Sequence, residues 1–259
     1  MTRSVAVHAH RGSPDPATGI AENTVEAFLR AGRLGADGVE LDVRLTADGA
    51  LAVHHDPELP GLGPVAGLRV RDLPDHVPLL GAALDACGEL TVNIEIKNLP
   101  TEPGHDPDER AAHLVAGLLT ETGREHRVVV SSFWPGSLDA LRSAAPTVPV
   151  GLLVATWFDP VDALARATTA GYQAIHLHES LVGAALVEEA HRTGLSVAAW
   201  TVNGAGPVRA AAAAGVDTVI TDDVASALGA LAVPGHPAGG REPVGASDDP
   251  TAPAGHGAV

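Results

Sequence analysis

Residues 171–200, GYQAIHLHESLVGAALVEEAHRTGLSVAAW, hold one full turn of a repeating architecture. Gln173 to Leu177 is short and mostly apolar, as a buried strand is. Leu181 to Arg192 spaces its apolar side chains at helical intervals, Gly194 supplies a stop, and Leu195 to Trp200 is the next strand. The same alternation runs outward in both directions. Further strand-like runs fall at Ser4 to Ala9, Gly38 to Leu45, Leu90 to Ile96, Arg127 to Ser131, Val148 to Val154 and Asp217 to Ile220. Amphipathic stretches lie between them at Glu22 to Leu34, Asp108 to Glu121, Gly136 to Ala144, Val161 to Ala170 and Ala205 to Ala214, with Gly35, Gly123, Gly171 and Gly215 placed just past helices. Eight βα units in about 230 residues predict an α/β fold of the (βα)8 TIM-barrel type. An open doubly wound sheet would carry a Gly-x-Gly-x-x-Gly turn after its first strand, and the chain has none there.

One interruption stands out. Leu51 to His54 follows the Asp48-Gly49 turn and predicts a short hairpin with the second barrel strand, which brings His54-His55-Asp56 to the rim. Pro57 to Pro78, punctuated by Pro and Gly, is expected as a lid loop over the pocket. After Val233 the composition turns to Pro, Gly, Ala and Asp, so residues 1–232 read as one barrel domain and 233–259 as a disordered tail.

Composition narrows the partners. Of 259 residues, 16 are Lys or Arg and 32 Asp or Glu, and the formal charge of −16 opposes attraction to nucleic acid or anionic membrane. The single cysteine, Cys87, sits in the apolar stretch Leu79 to Cys87 and reads as a buried thiol. Only Val5-Ala6-Val7 precedes His8, far short of a signal-peptide core, and no stretch is long enough to span a bilayer, so a soluble cytoplasmic protein is expected.

In a TIM barrel the active site lies at the carboxyl ends of the strands. Here three strands end in ionisable residues: His10-Arg11-Gly12, Glu40-Leu41-Asp42 and Glu95-Ile96-Lys97. Because side chains alternate along a strand, each i, i+2 pair points to one side. Glu40, Asp42 and Glu95 offer hard oxygen ligands for a divalent cation, Mg2+ or Ca2+. His10 and His55 titrate near neutrality and suit general acid and base, while Arg11 and Lys97 suit the non-bridging oxygens of a phosphate. The pattern points to metal-assisted phosphoryl chemistry. Asn23-Thr24 before a helical run is a capping signal, Glu22 near the pocket is a second-rank substrate-binding candidate, and Trp200 at a strand end reads equally as a face that packs a glycerol or alcohol and as a buried core indole. Ser132 lacks a Gly-x-Ser-x-Gly elbow and is not a nucleophile candidate.

Taken in order, His10-Arg11-Gly12, Glu22-Asn23-Thr24, residues 38–43 with Thr46-Ala47-Asp48-Gly49, His55-Asp56-Pro57, Glu95-Ile96-Lys97, Ser131-Ser132-Phe133, Trp200-Thr201-Val202-Asn203 and Thr221-Asp222 resemble the glycerophosphodiester phosphodiesterase family. The resemblance implies hydrolysis of small-molecule glycerophosphodiesters to glycerol 3-phosphate and an alcohol. It also implies Glu40, Asp42 and Glu95 as metal ligands, His10 and His55 as the acid–base pair, and Arg11 and Lys97 as phosphate contacts. One departure concerns the alcohol: where the family commonly continues with leucine and Arg-Thr-Thr, residues 58–64 read ELPGLGP. Two other readings predict different chemistry. His8-Ala9-His10, with Lys97, Asp222 and His176 or His178, is a zinc amidohydrolase pattern, and a barrel of the same sequence that only binds a phosphodiester would show no turnover.

Overall fold

In the computed structural model, residues 5–232 are described. Their strands are β1 (Ala6–Ala9), β2 (Gly38–Leu45), β3 (Leu51–Val53), β4 (Glu58–Leu59), β5 (Gly63–Pro64), β6 (Thr91–Ile96), β7 (Val128–Ser132), β8 (Val150–Val154), β9 (Ala174–His178), β10 (Ser196–Trp200) and β11 (Thr218–Thr221). The helices are α1 (Val25–Arg33), α2 (Leu80–Cys87), α3 (Arg110–Thr122), α4 (Pro135–Ala144), α5 (Pro160–Ala170), α6 (Ala184–Arg192), α7 (Ala205–Ala214) and α8 (Val224–Leu231).

Their ends follow from local chemistry. Thr24 Oγ1 accepts from Ala27 N–H at the start of α1, Asp159 accepts from Val161 and Asp162 N–H ahead of Pro160 on α5, and Gly123, Gly171 and Gly215 close α3, α5 and α7 in the left-handed conformation. Two helices have no counterpart in the alternation described above: α2, within the apolar stretch ending at Cys87, and α8, whose start is capped by Asp223.

Parallel pairing runs β1-β11-β10-β9-β8-β7-β6-β2, and β1 pairs β2 to close the ring. β3 adds to β2 as an antiparallel hairpin arm, with Val43 opposite Val53. The expected barrel and hairpin are therefore present. Residues 57–78 form a folded pad with its own small core of Leu59, Val65 and Val77 against Ala52. It is tied to the β2–β3 turn by Ala47 N–H donating to Leu68 O, and meets the loop after β6 where Ala66 abuts Gly104. The tail expected at 233–259 lies outside the described residues.

Alternation along β2 shows how the two faces divide. Val39, Leu41 and Val43 join the apolar layer beneath the helices, while Glu40 and Asp42 are just as buried but point into the ring. Interiors of such barrels are usually filled by branched apolar residues. This one holds His8, Asn93 and His176 instead, all buried. Gly38 and Gly151 make room for the rings, since a Cβ at either would stand 2.6 or 2.7 Å from Nε2 of His8 or His176. A cavity of about 320 Å3 opens beside them at the amino-terminal end, lined among others by Thr91, Gln173 and Ser196.

Candidate active site

Register places the acids. Asp42 on β2 lies directly opposite Glu95 on β6, and Glu40 opposite Asn93, so three carboxylates from two successive levels converge inside the ring. Ligand oxygens of Glu40, Asp42 and Glu95 all lie within 4.8 Å of one another, and all three residues are buried. Lys97, two residues past Glu95, puts Nζ 2.7 Å from Glu95 Oε1 and 3.2 Å from Asp42 Oδ1.

The turn after β1 supplies the next groups. Arg11 and Gly12 both adopt positive φ, 55° and 78°, and a Cβ at Gly12 would stand 2.9 Å from the Ala27 backbone. This tight turn aims Arg11 N–H at Glu40 Oε2, 3.0 Å away, and sends the guanidinium to Glu22 at 2.9 Å and towards Asp42 at 3.5 Å. Glu22 is half exposed and touches the cluster through Arg11. Asn23, which the sequence assigns to capping, instead sits at φ 56° and donates Nδ2–H to Asp42 Oδ2 at 2.8 Å, while Thr24 makes the cap.

Both histidines are oriented by carboxylates. His10 Nδ1 lies 2.7 Å from Asp222 Oδ1, and Asn203 Nδ2 holds the other oxygen of Asp222 at 2.6 Å. A carboxylate only accepts, so Nδ1 carries hydrogen and Nε2 faces inward, 4.0 Å from Glu40 Oε2. His55 repeats the arrangement with Asp56 at 2.8 Å, and its carbonyl is held by Arg44 Nε at 2.8 Å. Asp222, Asn203, Asp56 and Arg44 thus act around the site, although Asp222 enters the sequence reading with a role only in the zinc alternative and the other three carry no assigned role. Asp222 had a signal in its position at the end of the last strand.

Charge in the cluster is unbalanced. Burial, then Asp42, pushes the Glu40 carboxyl up to about 8, and burial likewise raises Glu95. Burial would also raise Asp42, but Lys97, His55, Arg11 and Asn23 outweigh it and hold the group down at about 2. Burial opposes the charged forms of His10 and His55. At His10 the Asp222 hydrogen bond and Glu40 overcome it and the pKa is raised; at His55 Lys97 adds to it and the pKa is lowered. Two buried carboxyls pushed upward beside a third, all hard oxygen donors, fit a divalent cation, whose charge would relieve the repulsion.

Trp200 ends β10, with its indole N–H donating to His176 O at 2.9 Å and its ring edge-on to Phe133 and His178. Ser132 donates to Ile96 O and accepts from Trp134 N–H, a structural role. In the zinc reading His8 and His176 would ligate. Both lie deeper in the ring, and among the described residues only Glu40, Asp42 and Glu95 form a metal-ligating cluster of three.

Carboxylates able to hold a metal, two oriented imidazoles and two cations at the carboxyl end of a TIM barrel suit a hydrolase acting on a phosphate ester. The glycerophosphoryl diester phosphodiesterase family model matches residues 10–226. A glycerophosphodiester phosphodiesterase of Caldanaerobacter subterraneus subsp. tengcongensis is 32% identical over 238 residues, covering 84% of this chain and 93% of the relative. One from Bacillus altitudinis is 30% identical over 244 residues, covering 83% and 94%. The crystal structure of the Thermotoga maritima glycerophosphodiester phosphodiesterase superposes with a TM-score of 0.70 at 26% identity, covering 85% of this chain and 96% of that one. The chain belongs to the glycerophosphoryl diester phosphodiesterase family, and it hydrolyses glycerophosphodiesters. That replaces the amidohydrolase and purely binding alternatives.

Proposed function

We propose that Glu40, Asp42 and Glu95 hold a hard divalent cation, Mg2+ or Ca2+, that His55 and His10 are base and acid, and that the products are glycerol 3-phosphate and the alcohol. The observation that carries this is the meeting of three buried carboxylates with two imidazoles whose pKa values are displaced in opposite directions. Environments that separate two like groups assign their roles. His55, lowered, is neutral at pH 7 and takes at Nε2 the proton of the attacking water, or of the neighbouring glycerol hydroxyl, in which case water then opens the cyclic phosphate to glycerol 3-phosphate. His10, raised, keeps its proton longer and delivers it from Nε2 to the departing alkoxide.

A cation held by Glu40, Asp42 and Glu95 would supply Lewis-acid polarisation of a phosphoryl oxygen. Arg11 and Lys97 bind the remaining non-bridging oxygens, Arg11 through its fork of donors and Lys97 as a point charge. Glu22 fixes the Arg11 fork from outside. Trp200 lines the side of the pocket that receives the glycerol or the alcohol.

Among the described residues no helix is long and apolar enough to cross a membrane. A cytoplasmic location, small-molecule substrates and a tail dispensable for activity complete the proposal. The test is release of glycerol 3-phosphate from glycerophosphocholine and glycerophosphoethanolamine by metal-stripped protein, with cations restored singly. Release with Mg2+ or Ca2+ supports the assignment; release without any cation, or with zinc alone, overturns it.

A further inference from the structure

The chain has three Trp, three Phe and one Tyr, and four of these gather on one side of the active-site mouth. Trp200 meets Phe133 at 5.5 Å between ring centroids, Phe133 meets Trp157 at 5.9 Å, and Trp157 meets Phe158 at 6.0 Å. Phe133 follows β7 and the Trp157-Phe158 pair follows β8, so both loops belong to the carboxyl face where the acids lie. The outer end is bare: Trp157 is 70% and Phe158 39% exposed, and Val161 beside them is 64% exposed. The loop is pinned by Asp159 capping α5 and by Phe158 N–H donating to Ala155 O. A fixed apolar ridge therefore runs from Trp200, at the site, out to solvent.

We propose that this ridge is a specificity subsite for glycerophosphodiesters that carry an extended aliphatic chain. The proposal rests on the phosphodiester centre lying at the acid cluster. Ring packing decides the chemistry of the occupant. A cage for a quaternary ammonium leaves a gap that several ring faces share, each within about 6 Å of the cation. Here neighbouring rings already touch, so the surface is a continuous strip that matches a linear chain. Charge opposes a second copy of the protein as occupant, since each carries −16.

Two positions for the chain share this chemistry, on the departing alcohol or on the glycerol, and the experiment separates them. The kcat/KM of glycerophospho-n-alkyl esters is measured from methyl to butyl to octyl, below aggregation, for wild type and for Trp157→Ala/Phe158→Ala, both solvent-exposed positions. Wild type is expected to gain about twofold per methylene lying on the ridge, roughly half the free-energy effect of complete burial. The variant is expected to lose that gain and keep the methyl ester within about twofold. A 1-acyl-glycerophosphocholine series tests the other position; a chain effect in that series alone, lost in the variant, keeps the subsite and assigns it to the glycerol side.

Binding of n-alkyl phosphates by calorimetry gives a readout without turnover. Chain-dependent binding with no hydrolysis of any ester overturns the phosphodiesterase mechanism and keeps the ridge. Affinity and turnover that ignore chain length, a chain effect that survives in the variant, or a wild-type dimer that the variant dissociates, overturns the ridge as a substrate subsite.

Discussion

Asp222 and His10 are 212 residues apart in the chain and 2.7 Å apart in the barrel. The contact exists because β11 pairs with β1, with Thr221 opposite Ala9, so the residues following the two strands emerge side by side. Asp222 is itself steadied by Asn203 from the loop after β10, and three strand ends set one imidazole. In the proposed mechanism that imidazole must hold a proton until the alcohol departs. The Asp222 hydrogen bond is the largest of the effects that raise its pKa against burial.

Replacing Asp222 with Asn removes the negative charge and lowers the His10 pKa. The acid then loses its proton at lower pH, so the alkaline limb of the kcat profile moves downward in pH while the acidic limb, set by His55, stays. We expect at least about a tenfold fall in kcat at pH 7, against about 10²–10⁴ for His10→Ala. A pH–rate profile with an unmoved alkaline limb would show that His10 is not the acid.

Asn23 separates ligand positioning from backbone strain. Gly tolerates its φ of 56° but cannot bond Asp42; Ala can do neither. Asn23→Gly should weaken cation affinity by about 10–100-fold, as loss of a group that orients a metal ligand does. Asn23→Ala should add a stability loss of about 1 kcal/mol or more. Calorimetric cation titration together with melting curves checks both; equal affinity in all three proteins would release Asn23 from this role.

Glu95→Gln tests the metal site itself. With cation at 100 times its dissociation constant the wild type should gain about 2.7 kcal/mol of stability. The variant should gain nothing and lose turnover. Without cation it should be no less stable than wild type, because one of three mutually repelling buried carboxyls is gone. Unchanged metal-dependent stabilisation in the variant would remove Glu95 from the ligand set.

The barrel and the acids were legible in the chain because both are written in short-range pattern. A period of two on β2 puts Glu40 and Asp42 on the side opposite Leu41, and no long-range information is needed to say so. The capping reading of Glu22-Asn23-Thr24 was right for Thr24, but the Asn23 bond to Asp42 depends on a left-handed backbone and on β2 lying alongside. Asp222 could be placed at a strand end, yet its partner was fixed only by ring closure. The aromatic ridge comes from loops far apart in sequence, and no local pattern links Trp157 to Phe133. The buried imidazoles were hidden for a similar reason. His8 looked like half of a His-x-His motif, and only the ring geometry shows that it sits a level below His10 with a glycine opposite.

Those imidazoles make stability depend on acidity. Burial holds His8 down at about 4 and His176 at about 3, and Asn93 Oδ1 and His176 Nδ1 have no hydrogen-bond partner among the described residues. In the unfolded chain each ring titrates near 6.5. Between that value and the folded one, the unfolded state binds more protons, so stability falls as pH falls, and this pH-dependent loss is nearly absent at pH 7 and above. The loss from pH 6.5 to pH 4 is roughly 3 kcal/mol for each ring, an upper bound because the adjoining cavity admits water. Denaturant titrations at intervals from pH 7 to pH 4 should show this loss as the difference in slope between wild type and variants, set against the opposite contribution of the raised Glu40 and Glu95 carboxyls. His8→Gln and His176→Gln, each too polar to leave the cavity dry and unable to take up a proton, should remove it. A slope unchanged in the double variant would remove His8 and His176 as its source, and the raised carboxyls of Glu40 and Glu95 could not replace them, because they gain stability as pH falls.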